Sequence, residues 1–292
     1  MDEEHGAEVL APVEFSTPAE LLSALRTRIR FRHYSLRTER TYEHWVRRYM
    51  AFHGRANPSS LGAEAIVAFL SALATRANVA AATQNQAMCA LLFLYKEVLR
   101  IPLPFLSGIP KAKGAKRRPT VLSRREIAAL FEQMSGTIGL IARLQYGAGL
   151  RLTECLRLRV KDLDLDRGEL VVRFGKGGKD RVTMIPSALV EPLRHHLMAI
   201  RTVFEQDRRA GVPGVELPFA YERKNPSAGI SWPWQWVFPQ RRLCLDPRTG
   251  VLRRHHAYDQ TIQRAVALAG RRAGLDKPVT THTLRHSFAT HL

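Results

Sequence analysis

The chain has 292 residues, 45% of them hydrophobic, and 45 Lys+Arg against 26 Asp+Glu give it a net charge of +19 and a pI near 10.7. That length fits two domains with real cores, and that charge predicts a polyanionic partner, nucleic acid before others. The absence of an apolar run of about 18 residues argues against a membrane span, the acidic start MDEEHGAEVL against a secretory signal, and three cysteines without a CxxC pair against a disulfide framework or Cys-based zinc site, so a cytoplasmic setting follows.

Residues 1–16 read as a flexible tail. Thr17-Pro18-Ala19-Glu20 predicts a helix start, with Thr as N-cap, Pro at N1 and Glu at N3 closing a capping box. Tyr42, Trp45, Val46, Tyr49 and Phe52 then form a stripe at helical spacing. Ile66, Phe69, Leu70 and Leu73 repeat it, as do Leu91, Leu92, Tyr95, Val98 and Leu99. Residues 17–105 therefore read as a small all-helical domain, with arginines such as Arg26, Arg28, Arg30, Arg32, Arg47 and Arg48 on its exposed faces. Residues 106–121 break the helical period and carry Lys111, Lys113, Lys116, Arg117 and Arg118. This is a basic interdomain linker suited to a phosphate backbone.

A second domain, 122–292, opens on a capping box, Ser123 to Glu126, with helices near 124–134 and 137–147. Glu169–Phe174 and Arg181–Ile185 are strand-like runs joined by a Gly-rich turn around Lys176, which predicts an antiparallel hairpin. Pro186 and Ser187 open a helix reaching about residue 205. Residues 215–256 are rich in Pro, Gly and aromatics, and Trp232, Trp234 and Trp236 alternate as they would on one face of a strand. Helices resume near 257–270 and at Thr281. The fold class expected is mainly α with a small antiparallel β-sheet.

Three separated stretches end in cations that could grip one phosphate: GLRLTE with Arg151, GKGGKDR with Lys176, and HTLRH with His282, Arg285 and His286. The turn Gly147-Ala148-Gly149 before Arg151 lets a backbone or an anion approach closely. GKGGK is no nucleotide-binding P-loop, since it lies between two strands and lacks the spacing of that motif. It projects a flexible ammonium group that can reach DNA or protonate a leaving oxygen. His282 and His286 have the spacing of a zinc pair, but Thr283 stands where a hydrolase needs glutamate and Arg285 would sit against the metal. No metal and no cofactor is expected.

The set GLRLTE, GKGGKDR and HTLRHSFATHL, behind a helical domain and a basic linker, resembles the tyrosine recombinases of the phage integrase type. The segment LPFAYERKNPSAGISWPWQWVFP with Arg253-Arg254-His255-His256, together with RHYSLRTERTY and TQNQAMCALLFLYKEVL, is similar to the integron integrases within that family. The resemblance implies a SAM-like core-binding domain and a catalytic domain that close around duplex as a clamp. It implies that Arg151 and Arg285 hold the non-bridging oxygens of the scissile phosphate, that Lys176 acts as general acid toward the departing 5′ oxygen, and that His282 assists. The nucleophile would be a tyrosine forming a 3′-phosphotyrosyl link, at a position some tens of residues after HTLRH. None of the seven tyrosines occupies it, so the chain is expected to be a C-terminally truncated, non-cleaving fragment. Trp234, Pro247, His255 and His256 would recognise extrahelical bases of folded single-stranded cassette sites, by stacking and imidazole support. The implied assembly is a homotetramer on DNA, with duplex attachment sites as the other partner. Two rivals stand beside this reading: a metal-dependent hydrolase built on HTLRH, and a DNA-binding protein whose arginines are structural.

Overall fold

The computed structural model describes residues 11–103, 118–173, 175, 178–218 and 220–292. The chain divides into two compact units, Met1–Arg117 and Arg118–Leu292.

In the first unit the helices are α1 (Pro18–Phe31), α2 (Leu36–Phe52), α3 (Ala63–Thr75) and α4 (Ala81–Phe93), which continues into a π-helical turn over Leu94–Leu99. Thr17 caps α1, accepting from the Glu20 backbone at 3.2 Å. The reciprocal bond closes one residue early, because the Glu20 carboxylate takes the Ser16 N–H at 3.0 Å instead of that of Thr17. Trp45, Val46 and Tyr49 are buried against Leu25, Ile29, Ile66, Phe69 and Leu91, while Phe52 at the end of the stripe stays 41% exposed. Each fully buried Leu or Ile contributes about 1.5–3 kcal/mol. The Tyr49 and Tyr95 hydroxyls, buried in this core, satisfy each other at 2.9 Å. Val13 donates to the Leu99 carbonyl at 2.9 Å and Asn57 to that of Phe15 at 2.8 Å, so residues 13–15 are pinned to the unit rather than loose. The expected arginine faces are present but internally paired: Arg26 and Arg47 share Glu43, Arg28 and Arg32 share Glu97, and Arg30 holds Glu39.

The second unit contains α5 (Arg124–Glu132), α6 (Gly136–Gly147), α7 (Leu152–Leu156), β1 (Leu163–Asp164), β2 (Glu169–Val172), β3 (Arg181–Met184), α8 (Ser187–Arg209), α9 (Tyr221–Lys224), β4 (Cys244–Leu245), β5 (Leu252–Arg253), α10 (Asp259–Arg272) and α11 (Thr281–His291). Ser123 and Glu126 close the capping box of α5 in both directions. The sheet is antiparallel in the order β1-β2-β3, with Leu170 opposite Thr183 and Val172 opposite Arg181. Leu170 and Val172 point into a core shared with Ile141, Leu144, Leu156, Leu193, Phe238, Val266 and Leu284, while Val182 and Met184 face outward. β1 is too short for any periodicity to reveal it. α8 runs to Arg209, one turn beyond the expected end.

Residues 215–256 correct one expectation. Trp232–Trp234 form a tight 3₁₀ turn, not a strand, because Pro233 has no N–H to donate to a ladder. The three rings consequently diverge. Trp232 packs on Phe204 at 5.4 Å, Trp234 on Tyr221 at 5.0 Å, and Trp236 is buried. Trp232, Trp234 and Trp236 therefore share no common platform. Among the described residues, no helix is long and apolar enough to cross a membrane.

Candidate functional site

Arg151 and Arg285, distant in sequence, meet at one carboxylate. Glu154, on the first turn of α7 and 7% exposed at its side chain, accepts from the Arg151 backbone N–H at 2.8 Å and from Arg151 Nη1 at 2.7 Å. Arg285 Nη1 lies 3.5 Å from Glu154 Oε2 and donates to the Gly149 carbonyl. A third guanidinium, Arg181 at the start of β3, grips both carboxylate oxygens, Nη1 to Oε1 at 3.1 Å and Nη2 to Oε2 at 2.7 Å. Burial alone would raise the Glu154 pKa. The hydrogen bonds from Arg181 and Arg151 outweigh it and hold the group at about 2, so it is ionised at neutral pH. Burial and the charge of Arg151 push the Arg285 pKa down, against the pull of Glu154. Three cations around one anion leave a local surplus of positive charge, and all three guanidiniums are about one-third exposed at 33%, 35% and 30%.

The backbone sets these positions. Gly149 has φ +62, in the left-handed region that favours glycine, and a Cβ there would fall 2.2 Å from the Phe288 ring of α11. A Cβ on Gly147 would fall 2.4 Å from Pro186. α11 is tied down at several points. Thr280 and Thr283 cap it reciprocally, Gln145 of α6 donates to the Thr281 carbonyl at 3.0 Å, and the buried Ser287 hydroxyl accepts from Leu122 N–H at 2.9 Å. Arg285 is thus presented from a fixed helix. His282, one turn earlier, and His286 are both exposed.

Residues 215–256 hold the second cluster. Residues 158–160 pair with 235–237, and 238–240 pair with 255–257, which stitches the tryptophan run to the body. Arg159 is buried beneath it, 3.1 Å from the Trp236 ring centroid, and donates to the carbonyls of Trp234 and Glu216. Its burial pushes its pKa down to about 9, opposed by Glu216 and Asp162, so it remains charged at neutral pH. Lys161 Nζ sits 3.0 Å from the Trp234 ring centroid. His255 and His256 lie ring to ring at 4.2 Å, and both contact Trp236. His255 faces the Glu216 carboxylate at 3.4 Å; this contact, against the cost of burial, holds Glu216 at about 2. His256 donates from Nδ1 to the Ala257 carbonyl, and burial, reinforced by His255, pushes its pKa down to about 4. Pro247 is exposed in the turn between β4 and β5. Arg254 anchors this region through a buried two-pronged pair with Asp207 of α8, at 2.6 and 2.7 Å.

Of the residues singled out from sequence, Arg151 and Arg285 come together and His282 shares the α11 helix with Arg285. Trp234, His255 and His256 gather around Arg159 and Trp236. Lys176, Lys111, Lys113, Lys116 and Arg117 lie outside the described residues, and Arg118 is exposed. Sequence reasoning missed Glu154, Arg181, Arg159 and Lys161. Glu154 and Arg181 stand inside the motifs GLRLTE and GKGGKDR, and that adjacency was the available signal. No group of three or more His, Cys, Asp or Glu side chains able to hold a metal occurs among the described residues.

Residues 21–104 match the phage integrase N-terminal SAM-like domain, and residues 120–292 match the phage integrase family. The chain belongs to that family, the tyrosine recombinases, enzymes of site-specific DNA recombination. An integrase/recombinase of Escherichia coli is 49% identical over 282 residues, covering 97% of this chain and 84% of the relative; one of Pseudomonas aeruginosa matches equally. Tyrosine recombinase XerA of Thermococcus kodakarensis is 30% identical over 286 residues, 95% of this chain and 82% of the relative. The same fold occurs in a lambda integrase tetramer bound to a Holliday junction, with TM-score 0.57 and 17% identity over 95% of this chain and 70% of that one.

Proposed function

We propose that this sequence belongs to a recombinase that integrates and excises integron gene cassettes through a 3′-phosphotyrosyl intermediate. The observation that carries the chemistry is the meeting of Arg151 and Arg285 at Glu154, which supplies two forked donors to one small volume. In this reading the two arginines hold the non-bridging oxygens of the scissile phosphate. Lys176 protonates the departing 5′ oxygen, and His282, exposed one turn before Arg285 on α11, assists proton transfer. The nucleophilic tyrosine is assigned to none of the seven in this sequence. Tyr49 and Tyr95 are locked together in a core, and Tyr146 is bonded to His291.

The domain limits assigned are 17–105 for core binding, 106–121 for a basic linker along the phosphate backbone, and 122–292 for catalysis, with the integron-specific insertion at 215–256. Lys111, Lys113, Lys116, Arg117 and Arg118 contact phosphates. Trp234, Pro247, His255 and His256 receive extrahelical bases of folded cassette sites. An incoming base takes the place of Lys161 on the Trp234 ring, and the ammonium moves to a phosphate. The assembly is a homotetramer on DNA, acting in the cytoplasm.

The test is binding. The chain should bind cassette-site hairpins with steep salt dependence. Trp234→Ala should cost about 1–3 kcal/mol on hairpins with extrahelical bases and much less on plain duplex. Equal losses on both would remove base recognition, and a flat salt response would remove the electrostatic account.

A further inference from the structure

Arg181 is unexplained by the recombinase reading above, and its geometry is specific. It is the first residue of β3, at the far side of the hairpin turn from β2, and it reaches back to Glu154 with both terminal nitrogens. Space for this reach is provided by Gly175: a Cβ there would lie 3.1 Å from Arg181 Nη1 and 2.9 Å from the Lys179 carbonyl. Each Glu154 oxygen is therefore already neutralised from the sheet side before Arg151 and Arg285 are counted.

The charge sum depends on this contact. Arg151, Arg181 and Arg285 bring three positive charges and Glu154 one negative, which leaves a surplus of two. A phosphodiester carries one negative charge, and its pentacoordinate state carries two. Without Arg181 the surplus would fall to one, and Glu154 would draw Arg151 and Arg285 onto itself, in competition with any phosphate. Glu154 without a neutraliser would be a decoy anion in the middle of the clamp.

We propose that Arg181 is a positioning residue of the clamp: it neutralises Glu154 through a two-pronged ion pair and so frees the charge of Arg151 and Arg285 for a phosphate. This rests on the reading of Arg151 and Arg285 as the phosphate-binding pair. Glu154 then works as a buried post that spaces the two working guanidiniums, and Arg181 removes its electrostatic cost.

The experiment follows the guanidinium resonances of Arg151 and Arg285 by NMR while the intact chain is titrated with inorganic phosphate. Arg181→Gln should weaken phosphate binding at these groups roughly three- to tenfold, as expected for the loss of one neighbouring charge in a partly solvated site. Arg181→Lys, which keeps the charge and loses the fork, should bind within about threefold of the parent chain. The decisive variant is the double Arg181→Gln/Glu154→Gln, which restores the surplus of two and should return the affinity to about that of the parent. A double variant as weak as Arg181→Gln alone would overturn the proposal, since Arg181 would then be holding structure and not charge. Unchanged affinity in Arg181→Gln, with binding lost in Arg151→Ala, would overturn it while leaving the clamp standing. If Arg151→Ala leaves the response of Arg285 unaltered, the clamp reading itself fails and takes the proposal with it.

Discussion

The Glu154 cluster and the tryptophan segment are both dense in cations, yet they are balanced in opposite ways. At Glu154 three guanidiniums share one carboxylate, and the remainder is uncompensated. Around the tryptophan segment the buried cations are matched, while Arg223, Lys224, Arg241, Arg242 and Arg248 of the same segment lie exposed. Arg254 is paired with Asp207 and Arg253 with Glu222 and Asp246, while Arg159 and Lys161 lie against indole rings. In the first unit five arginines divide three glutamates, so positive charge is in surplus there too, but it is spread over three separate carboxylates on exposed helix faces. A matched, buried cation builds structure; a surplus gathered at one carboxylate is available to a ligand. The net charge of +19 does not distinguish the two, and only the local sum does.

Three substitutions would break or sharpen that contrast. The largest effect is expected at Asp207. Both side chains of its pair are buried, at 8% and 9% exposure, so Asp207→Ala strands a guanidinium in the core and should cost about 3–5 kcal/mol in urea denaturation. Phosphate binding at Arg285 should be unaffected, and a loss there would mean the two clusters are not independent. Glu154→Ala should cost less, about 2–4 kcal/mol by the same measurement, because the guanidiniums it leaves unpaired are about one-third exposed and partly solvated. A negligible cost would show that Glu154 is not the organising charge.

The smallest effect is pH-dependent. His256 titrates lower in the folded chain, at about 4, than in the unfolded one, at about 6.5. The folded state binds that proton less readily, so the stability from neutral His256 is complete above about 6.5 and is lost as pH falls toward 4. The contribution is on the order of 2–3 kcal/mol. His256→Asn should flatten the stability profile in that window. Glu216, held at about 2, loses its contribution as pH falls from about 4.5 toward 2, so the two are separable. An unchanged slope between pH 6.5 and 4 in His256→Asn would place the acid sensitivity elsewhere.

The sequence was most informative where its signals are local. Thr17-Pro18 and Ser123 to Glu126 begin helices as capping chemistry requires, and the stripe through Trp45, Val46 and Tyr49 faces a core. It was informative about Arg151 and Arg285 because each lies in a compact motif. It was misleading at Trp232, Trp234 and Trp236, where alternation suggested a strand and Pro233 dictated a turn. The Glu154–Arg181 pair joins α7 to β3, and no periodicity encodes a contact between two elements. The same holds for Arg159, which becomes a pillar beneath Trp236 only after residues 158–160 and 235–237 have paired. Polar and charged contacts between elements depend on the finished fold, whereas caps and stripes are written within single elements.

The turn before Arg151 carries one more lesson. Gly147 is pressed on Pro186 and Gly149 on the Phe288 ring, so the loop that aims the arginine is wedged between the entry to α8 and the last helix described. GLRLTE is therefore not a portable cassette of function. Grafted onto a foreign scaffold it would bring its guanidinium without the proline and the phenyl ring that aim it, and enlarging either glycine would misdirect Arg151 while leaving every charge in place.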